Sequence, residues 1–157
     1  TFSPTALITY DECPKRFELS NLFQMPQRGD FSEEGSGANT GSFVHKVCED
    51  GVNQKLNSYE EFVKLAEKMS HDPDWKGIDL EDVNNLLHVF WERNKSKITD
   101  KSQNEIKLPV EIGGFKFFGL ADRVDELPDG TVEIIDYKTN KKTISPKKRA
   151  WQLGFYA

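Results

Sequence analysis

The stretch that decides the fold is 119–139, GLADRVDELPDGTVEIIDYKT. Its apolar and turn residues predict a β-hairpin that reverses at 128–130, where Pro-Asp-Gly is typical of a tight turn. Side chains on a strand alternate between faces, so Asp136 and Lys138 share one face and their neighbours occupy the other. Antiparallel pairing across the turn would bring Asp122 beside Asp136. Two acids and a lysine gathered in this way indicate a metal site.

Length and composition set limits on the class of protein. A chain of 157 residues fits one small domain with its own core, and its net charge of -5 counts against a generally basic nucleic-acid binder. No apolar run reaches the roughly 20 residues of a membrane span. The N-terminus lacks signal-peptide features, and two cysteines make no disulfide framework. We therefore expect an intracellular, cytoplasmic location and no membrane partner.

The charge distribution is more informative than its sum. Six basic residues and no acid follow the Asp-x-Lys motif closely: Lys138, Lys141, Lys142, Lys147, Lys148 and Arg149. A positive rim beside an acidic centre suits a phosphodiester substrate, since the rim attracts the backbone and the acids hold cations. A solvated basic loop with no ligand is the alternative interpretation.

The order Asp122, Asp136-x-Lys138 resembles the signature of the PD-(D/E)XK nuclease superfamily, in its RecB-type branch. That branch includes the RecB and AddB nuclease domains and the CRISPR-associated iron-sulfur exonucleases. Further motifs of the branch are matched in order by 3–17 with its Cys-Pro step, by Gly41-x-x-x-His45 and by Gln152-x-x-x-Tyr156. The resemblance implies an α/β fold with a restriction-endonuclease-like core, in which helices flank a mixed central sheet and add a helical cover. It also implies one nuclease domain over 1–157, truncated at its C-terminus.

Periodicity and turn signals predict the elements. They are a helix over 1–25 capped by Ser3 or Thr5 and broken at Pro14, a loop over 27–40, a helix from Gly41, helices over 58–69 and 79–97, strands over 106–112 and 115–121, and a last helix from Ser145. Ser58 with Glu61 predicts a capping box, while Phe117 and Leu120 are predicted to be buried. Trp75 and Trp91 are predicted to be core residues rather than base-stacking platforms.

The resemblance also implies site residues and a cofactor, Mg²⁺ or Mn²⁺. The metal ligands it implies are His45, Glu111, Asp122, Asp136 and the Tyr137 carbonyl, with Glu105 and Glu126 as alternatives to Glu111. Asp122, Asp136 and Lys138 would be catalytic. Gln152, Tyr156 and the basic residues Lys141, Lys142, Lys147, Lys148 and Arg149 would contact DNA.

The function implied is hydrolysis of DNA phosphodiester bonds, as an exonuclease in a helicase-nuclease, DNA repair or CRISPR system. Its partners would be single-stranded DNA or DNA ends and a helicase domain or subunit. The alternatives are a non-catalytic DNA-binding or structural module of the same fold, and an RNA-directed role. Cys13 matches the first cysteine of the iron-sulfur members, whose other three follow the Gln-x-x-x-Tyr helix, beyond Ala157. Two interpretations stay open: a cluster-free relative in which Cys13 packs, or a fragment that lacks the other cluster ligands.

Overall fold

The computed structural model describes residues 2–26 and 36–139 and the helical positions Pro146, Ala150 and Gly154. These residues fall into two compact units. The first holds 2–26, 107–120 and the three helical positions, and the second holds 36–106 and 121–139. A single domain over 1–157 remains a prediction.

The first unit begins with two short helices, α1 (Pro4–Glu12) and α2 (Pro14–Phe17), and a π-helical turn, Glu18–Leu22. Ser3 caps α1 as predicted, because its Oγ accepts a hydrogen bond of 3.2 Å from the Ala6 N–H. The predicted break is also confirmed. Cys13 is extended at φ -162°, and Pro14 starts a new helix because its ring leaves it no N–H to continue the old one.

Aromatic packing connects the N-terminus of the first unit to its strand residues. Phe2 forms a parallel bridge with Phe117, through a bond of 3.2 Å from its N–H to the Lys116 carbonyl. The Phe2 ring lies 5.4 Å from that of Phe17 and 6.2 Å from that of Phe117. These contacts bury Phe117 as predicted, at 8% exposure.

The second unit is built on three helices that pack on one another: α3 (Ser36–Asn53), α4 (Tyr59–Met69) and α5 (Leu80–Asn94). A 3₁₀ turn, Pro73–Trp75, lies between α4 and α5. Fully buried side chains fill the interior, among them Phe43, Val47, Phe62, Val83 and Leu87. Burial of each is worth about 1.5–3 kcal/mol, which makes this cluster the main source of stability for the unit.

Two details of these helices differ from the prediction. The loop expected over 27–40 is wrong for its last residues, because α3 begins at Ser36; 27–35 lie outside the described residues. The buried Thr40 shows why, since packing overrides the weak helix propensity of this polar segment. The capping box is half formed: the Glu61 N–H donates to Ser58 Oγ, but the Glu61 carboxylate accepts from the Asn57 N–H.

Three strands form one sheet in the order β1 (Gln103–Ile112), β2 (Phe115–Glu126) and β3 (Val132–Ile135). β2 and β3 are antiparallel, as the hairpin prediction requires, with Arg123 opposite Ile135 and Glu126 opposite Val132. Gly113 and Gly114 both have positive φ, 58° and 79°, which the tight β1–β2 turn demands. The predicted α/β class is confirmed. No helix among the described residues is long and apolar enough to span a membrane.

Two strand predictions are wrong. Leu120 is 42% exposed because the inward positions of β2 are odd-numbered, so an even position lies on the other face. β3 ends at Ile135, so Asp136, Tyr137 and Lys138 follow the strand instead of lying within it. Other contacts must therefore hold that segment.

Candidate active site

The two aspartates of the predicted motif meet where β2 and β3 separate. The register pairs Arg123 with Ile135, and the next positions outward are Asp122 and Asp136. The Tyr137 N–H donates to Asp122 Oδ2 at 2.5 Å, so an Asp122 side chain replaces the lost ladder bond. The Asp122 carboxylate thus fixes the backbone between Asp136 and Lys138.

Asp122 lies in an environment that resists its charge. Burial raises the pKa of its carboxyl, and the charge of Asp136 raises it further. The Tyr137 N–H, His45 and Lys138 act in the opposite direction and do not fully compensate. Asp122 is therefore a carboxylate whose negative charge is only partly offset by the protein.

His45 reaches the same place from α3. Its Nδ1 lies 3.7 Å from Asp122 Oδ2, and its ring meets the Tyr137 ring edge-on at 5.7 Å. The His45 side chain is 35% exposed, which leaves the imidazole accessible. An imidazole and a carboxylate at this separation are both available ligand types for a divalent cation.

Asp136 and Lys138, two residues apart, form an ion pair. The Asp136 side chain is 17% exposed and that of Lys138 is 40% exposed, so the pair lies at the surface of the unit. Exposed ion pairs contribute little to stability, so Lys138 can exchange Asp136 for another anion at small cost.

A cavity of about 370 Å³ opens beside these residues. Its lining is Ser42, His45, Lys46, Glu49, Trp75, Glu105, Asp122 and Tyr137. Sequence reasoning missed Ser42, Lys46 and Glu49, although a signal was present. They stand at -3, +1 and +4 from His45, which is one face of a helix. Trp75 packs edge-on against Phe43 at 5.1 Å, in agreement with its predicted core role, and also borders the cavity.

The glutamate prediction separates into two residues. Glu111, the first choice, is exposed on β1 and belongs to the first unit. Glu105, the alternative, lines the cavity of the second unit and has a φ of +51°. Such a conformation is costly for a residue with a side chain and is found most often at functional sites. The strain is visible only in the structure, since nothing in the local sequence requires it.

Within 2–26 and 36–139, no three His, Cys, Asp or Glu side chains are close enough together to hold a metal ion. The donors lie apart because Asp136 is paired with Lys138 and Asp122 is bonded to the Tyr137 N–H. Glu126, the other alternative to Glu111, pairs with Lys101 at 2.7 Å and is exposed.

Several predicted residues lie outside the described residues: Lys141, Lys142, Lys147, Lys148, Arg149, Gln152 and Tyr156. The two cysteines are described, and both are free. Cys13 is exposed in the first unit, whereas Cys48 is buried in α3, where burial raises the pKa of its thiol.

Comparison with known proteins gives a family match and a set of distant relatives. A family model described as the PD-(D/E)XK nuclease superfamily matches 1–157. Over 122 residues the chain is 27% identical to three proteins named as one subunit of an ATP-dependent helicase/deoxyribonuclease, from Streptococcus agalactiae serotypes Ia, V and III. The match covers 69% of this chain and 11% of each of those relatives. No solved structure gives a significant match.

Proposed function

Because this chain belongs to the PD-(D/E)XK nuclease superfamily, we propose that it is a Mg²⁺- or Mn²⁺-dependent deoxyribonuclease that acts as an exonuclease. One observation carries the proposal. Asp122, Asp136 and Lys138 come together at the point where β2 and β3 separate, with His45 beside them. Two carboxylates, an imidazole and a lysine are the groups that metal-assisted phosphodiester hydrolysis requires.

The donor set fits a hard divalent cation. Carboxylate oxygens and a neutral imidazole are suitable ligands, and the raised pKa of Asp122 marks a negative charge that a cation would compensate. His45, Asp122, Asp136 and the Tyr137 carbonyl would hold the ion, together with Glu105 or Glu111. Asp136 would turn from Lys138 to do so. The bound ion would stabilise negative charge that develops on the phosphate.

Lys138 is the proposed partner of the reacting groups. Once separated from Asp136, its ammonium would orient the attacking water and neutralise charge on the phosphorus centre. The water oxygen forms a bond to phosphorus, the bond from phosphorus to the leaving oxygen breaks, and the water proton passes to solvent. The products are a phosphate-terminated strand and a free hydroxyl.

DNA would be held by residues outside the described part of the chain. Gln152 and Tyr156 are proposed to contact phosphate or base, with the basic residues of 141–149 as an electrostatic rim. A helicase domain or subunit is the proposed partner, because the matched relatives are named as helicase/deoxyribonuclease subunits and are much longer than this chain. A role in DNA repair or CRISPR, an iron-sulfur cluster at Cys13 and an intracellular location are further proposals that rest on the same family likeness.

The alternative is a non-catalytic DNA-binding module of the same fold. One observation favours it: the described acids do not form a ready-made group of three ligands. The alternative predicts DNA binding without cleavage, whether or not a divalent cation is present.

The test is cleavage of end-labelled single- and double-stranded DNA in Mg²⁺, Mn²⁺ or EDTA. Asp136→Ala and Lys138→Ala are each expected to lower the rate by about 100-fold or more with the fold intact. Lys64→Ala is the matched control, because Lys64 is an exposed lysine on α4 and is expected to keep wild-type cleavage. Wild-type activity in Asp136→Ala or Lys138→Ala would contradict the assignment, and binding without cleavage by the wild type would favour the alternative.

A further inference from the structure

We propose that Arg123 is a positioning residue that holds the Asp136–Lys138 segment in place through the Tyr137 hydroxyl. The proposal starts from the end of β3 at Ile135, after which no ladder bond fixes Asp136 or Lys138. Tyr137, between them, is held at two points instead. Its N–H donates to Asp122 Oδ2 at 2.5 Å, and its hydroxyl accepts a bond of 3.0 Å from Arg123 Nη1.

Arg123 is itself rigidly fixed. Its side chain is fully buried, and each of its three nitrogens has a partner. Nε donates to Asp125 Oδ2 at 3.1 Å, and Nη2 donates to Asn94 Oδ1 at 2.7 Å. Only the planar guanidinium fork can make these bonds in different directions at once, so lysine is not an equivalent.

The contacts form a closed circuit around the tyrosine. The Asn94 amide donates to the Phe90 carbonyl at 2.7 Å, and the Phe90 ring packs edge-on against the Tyr137 ring at 5.3 Å. The Arg123 guanidinium also lies 5.8 Å from the centre of that ring. Both the position and the tilt of Tyr137 are therefore determined by α5 and β2.

Stability alone does not account for this arrangement. The Asp125 side chain is 1% exposed, and its Oδ1 has no hydrogen-bond partner among the described residues. Replacing a buried ion pair by apolar side chains is often neutral or stabilising, so burying this one is a poor way to gain stability. Fixing the segment that carries the proposed metal ligand and lysine gives the pair a role that apolar residues could not fill.

Tyr137→Phe tests the link, because it removes the hydroxyl and keeps the ring. If the proposed nuclease function holds, kcat for DNA is expected to fall about 10-fold or more with KM unchanged, as happens when a residue that orients a metal ligand is removed. Tyr59→Phe is the matched control. It deletes a hydroxyl that bonds the Asn84 carbonyl at 3.3 Å, on α4, away from the cavity lining. It is expected to keep wild-type kcat.

A second readout does not depend on catalysis. Amide hydrogen exchange of 136–139 is expected to accelerate about 10-fold or more in Tyr137→Phe, beyond any change in global unfolding, and to stay unchanged in Tyr59→Phe. Arg123→Lys should reproduce the effect. Unchanged exchange and unchanged kcat in Tyr137→Phe would overturn the proposal.

The two readouts separate the two ideas. Loss of protection at 136–139 in a wild type that never cleaves DNA would refute the proposed nuclease and leave the positioning role standing. If Tyr137→Phe and Arg123→Lys fail to fold, the wild type decides alone. Its Tyr137 N–H and Arg123 Nε–H must then be protected as strongly as the α5 core, and fast exchange of either would refute the role.

Discussion

Gly51→Ala provides the sharpest test of how α3, the helix that carries His45, is packed. A β-carbon added at Gly51 would lie 2.7 Å from both Cδ1 and Cζ of Phe62, closer than real β-carbons approach other atoms. Phe62 is fully buried and its ring packs against Phe90 at 5.3 Å and Trp91 at 5.8 Å. Because the ring cannot turn away, α3 and α4 must move apart to admit the methyl group.

Two effects of opposite sign determine the magnitude. Alanine in a helix interior is worth about 1 kcal/mol over glycine, whereas overpacking costs about 1–3 kcal/mol and more when the neighbours are enclosed. Since the clash involves several atoms of one enclosed ring, we expect overpacking to prevail. The net loss in free energy of unfolding should be about 1–2 kcal/mol, and a domain of this size loses about 2–4 °C in Tm per kcal/mol.

The assay is urea unfolding followed by circular dichroism, with the m-value as the check that the extent of unfolding is unchanged. Gly154→Ala is the matched control, since Gly154 is helical and no described atom lies within 4 Å of its added β-carbon. That variant should gain up to about 1 kcal/mol. A Gly51→Ala protein as stable as the wild type, or more stable, would refute the packing argument.

Two further predictions concern the site. Burial raises the pKa of Asp122 above its ordinary 3.8, so the folded protein binds this proton more tightly than the unfolded chain and loses stability as pH rises through that window. Without divalent cations, Asp122→Asn should therefore melt higher than the wild type at pH 7 and not below pH 3.8, and added Mg²⁺ should raise the Tm of the wild type alone; equal melting at pH 7 would argue against the buried charge. For the glutamates, Mn²⁺ titration calorimetry should show a greater loss of affinity, about 10-fold, in Glu105→Gln than in Glu111→Gln, because Glu105 borders the cavity. The reverse order would restore Glu111 as the ligand.

The hairpin and its acids were accessible from sequence because local rules determine them. The Pro-Asp-Gly turn fixed the register, and the register put Asp122 beside Asp136. Ser3, Ser58 and Asp79 follow the same logic at helix starts, where a side-chain oxygen satisfies a free N–H.

What could not be predicted depends on contacts between distant parts of the chain. Neither the strained φ of Glu105 nor the burial of Arg123 is visible in local patterns, since an arginine on a strand is usually exposed. The helix over 36–40 belongs to the same class, because its composition indicates a loop and packing decides otherwise. The prediction failed where tertiary structure overrode local preference.

The contrast between the two thiols turns them into reporters of motion. A maleimide dye should attach to the exposed Cys13 of the folded protein and leave Cys48 untouched, because reaction needs an accessible thiolate and Cys48 is buried with a raised pKa. Slow labelling of Cys48 would then measure how often α3 transiently opens its core. The same helix carries His45, so the unmodified chain contains its own clock for fluctuations of the proposed catalytic scaffold.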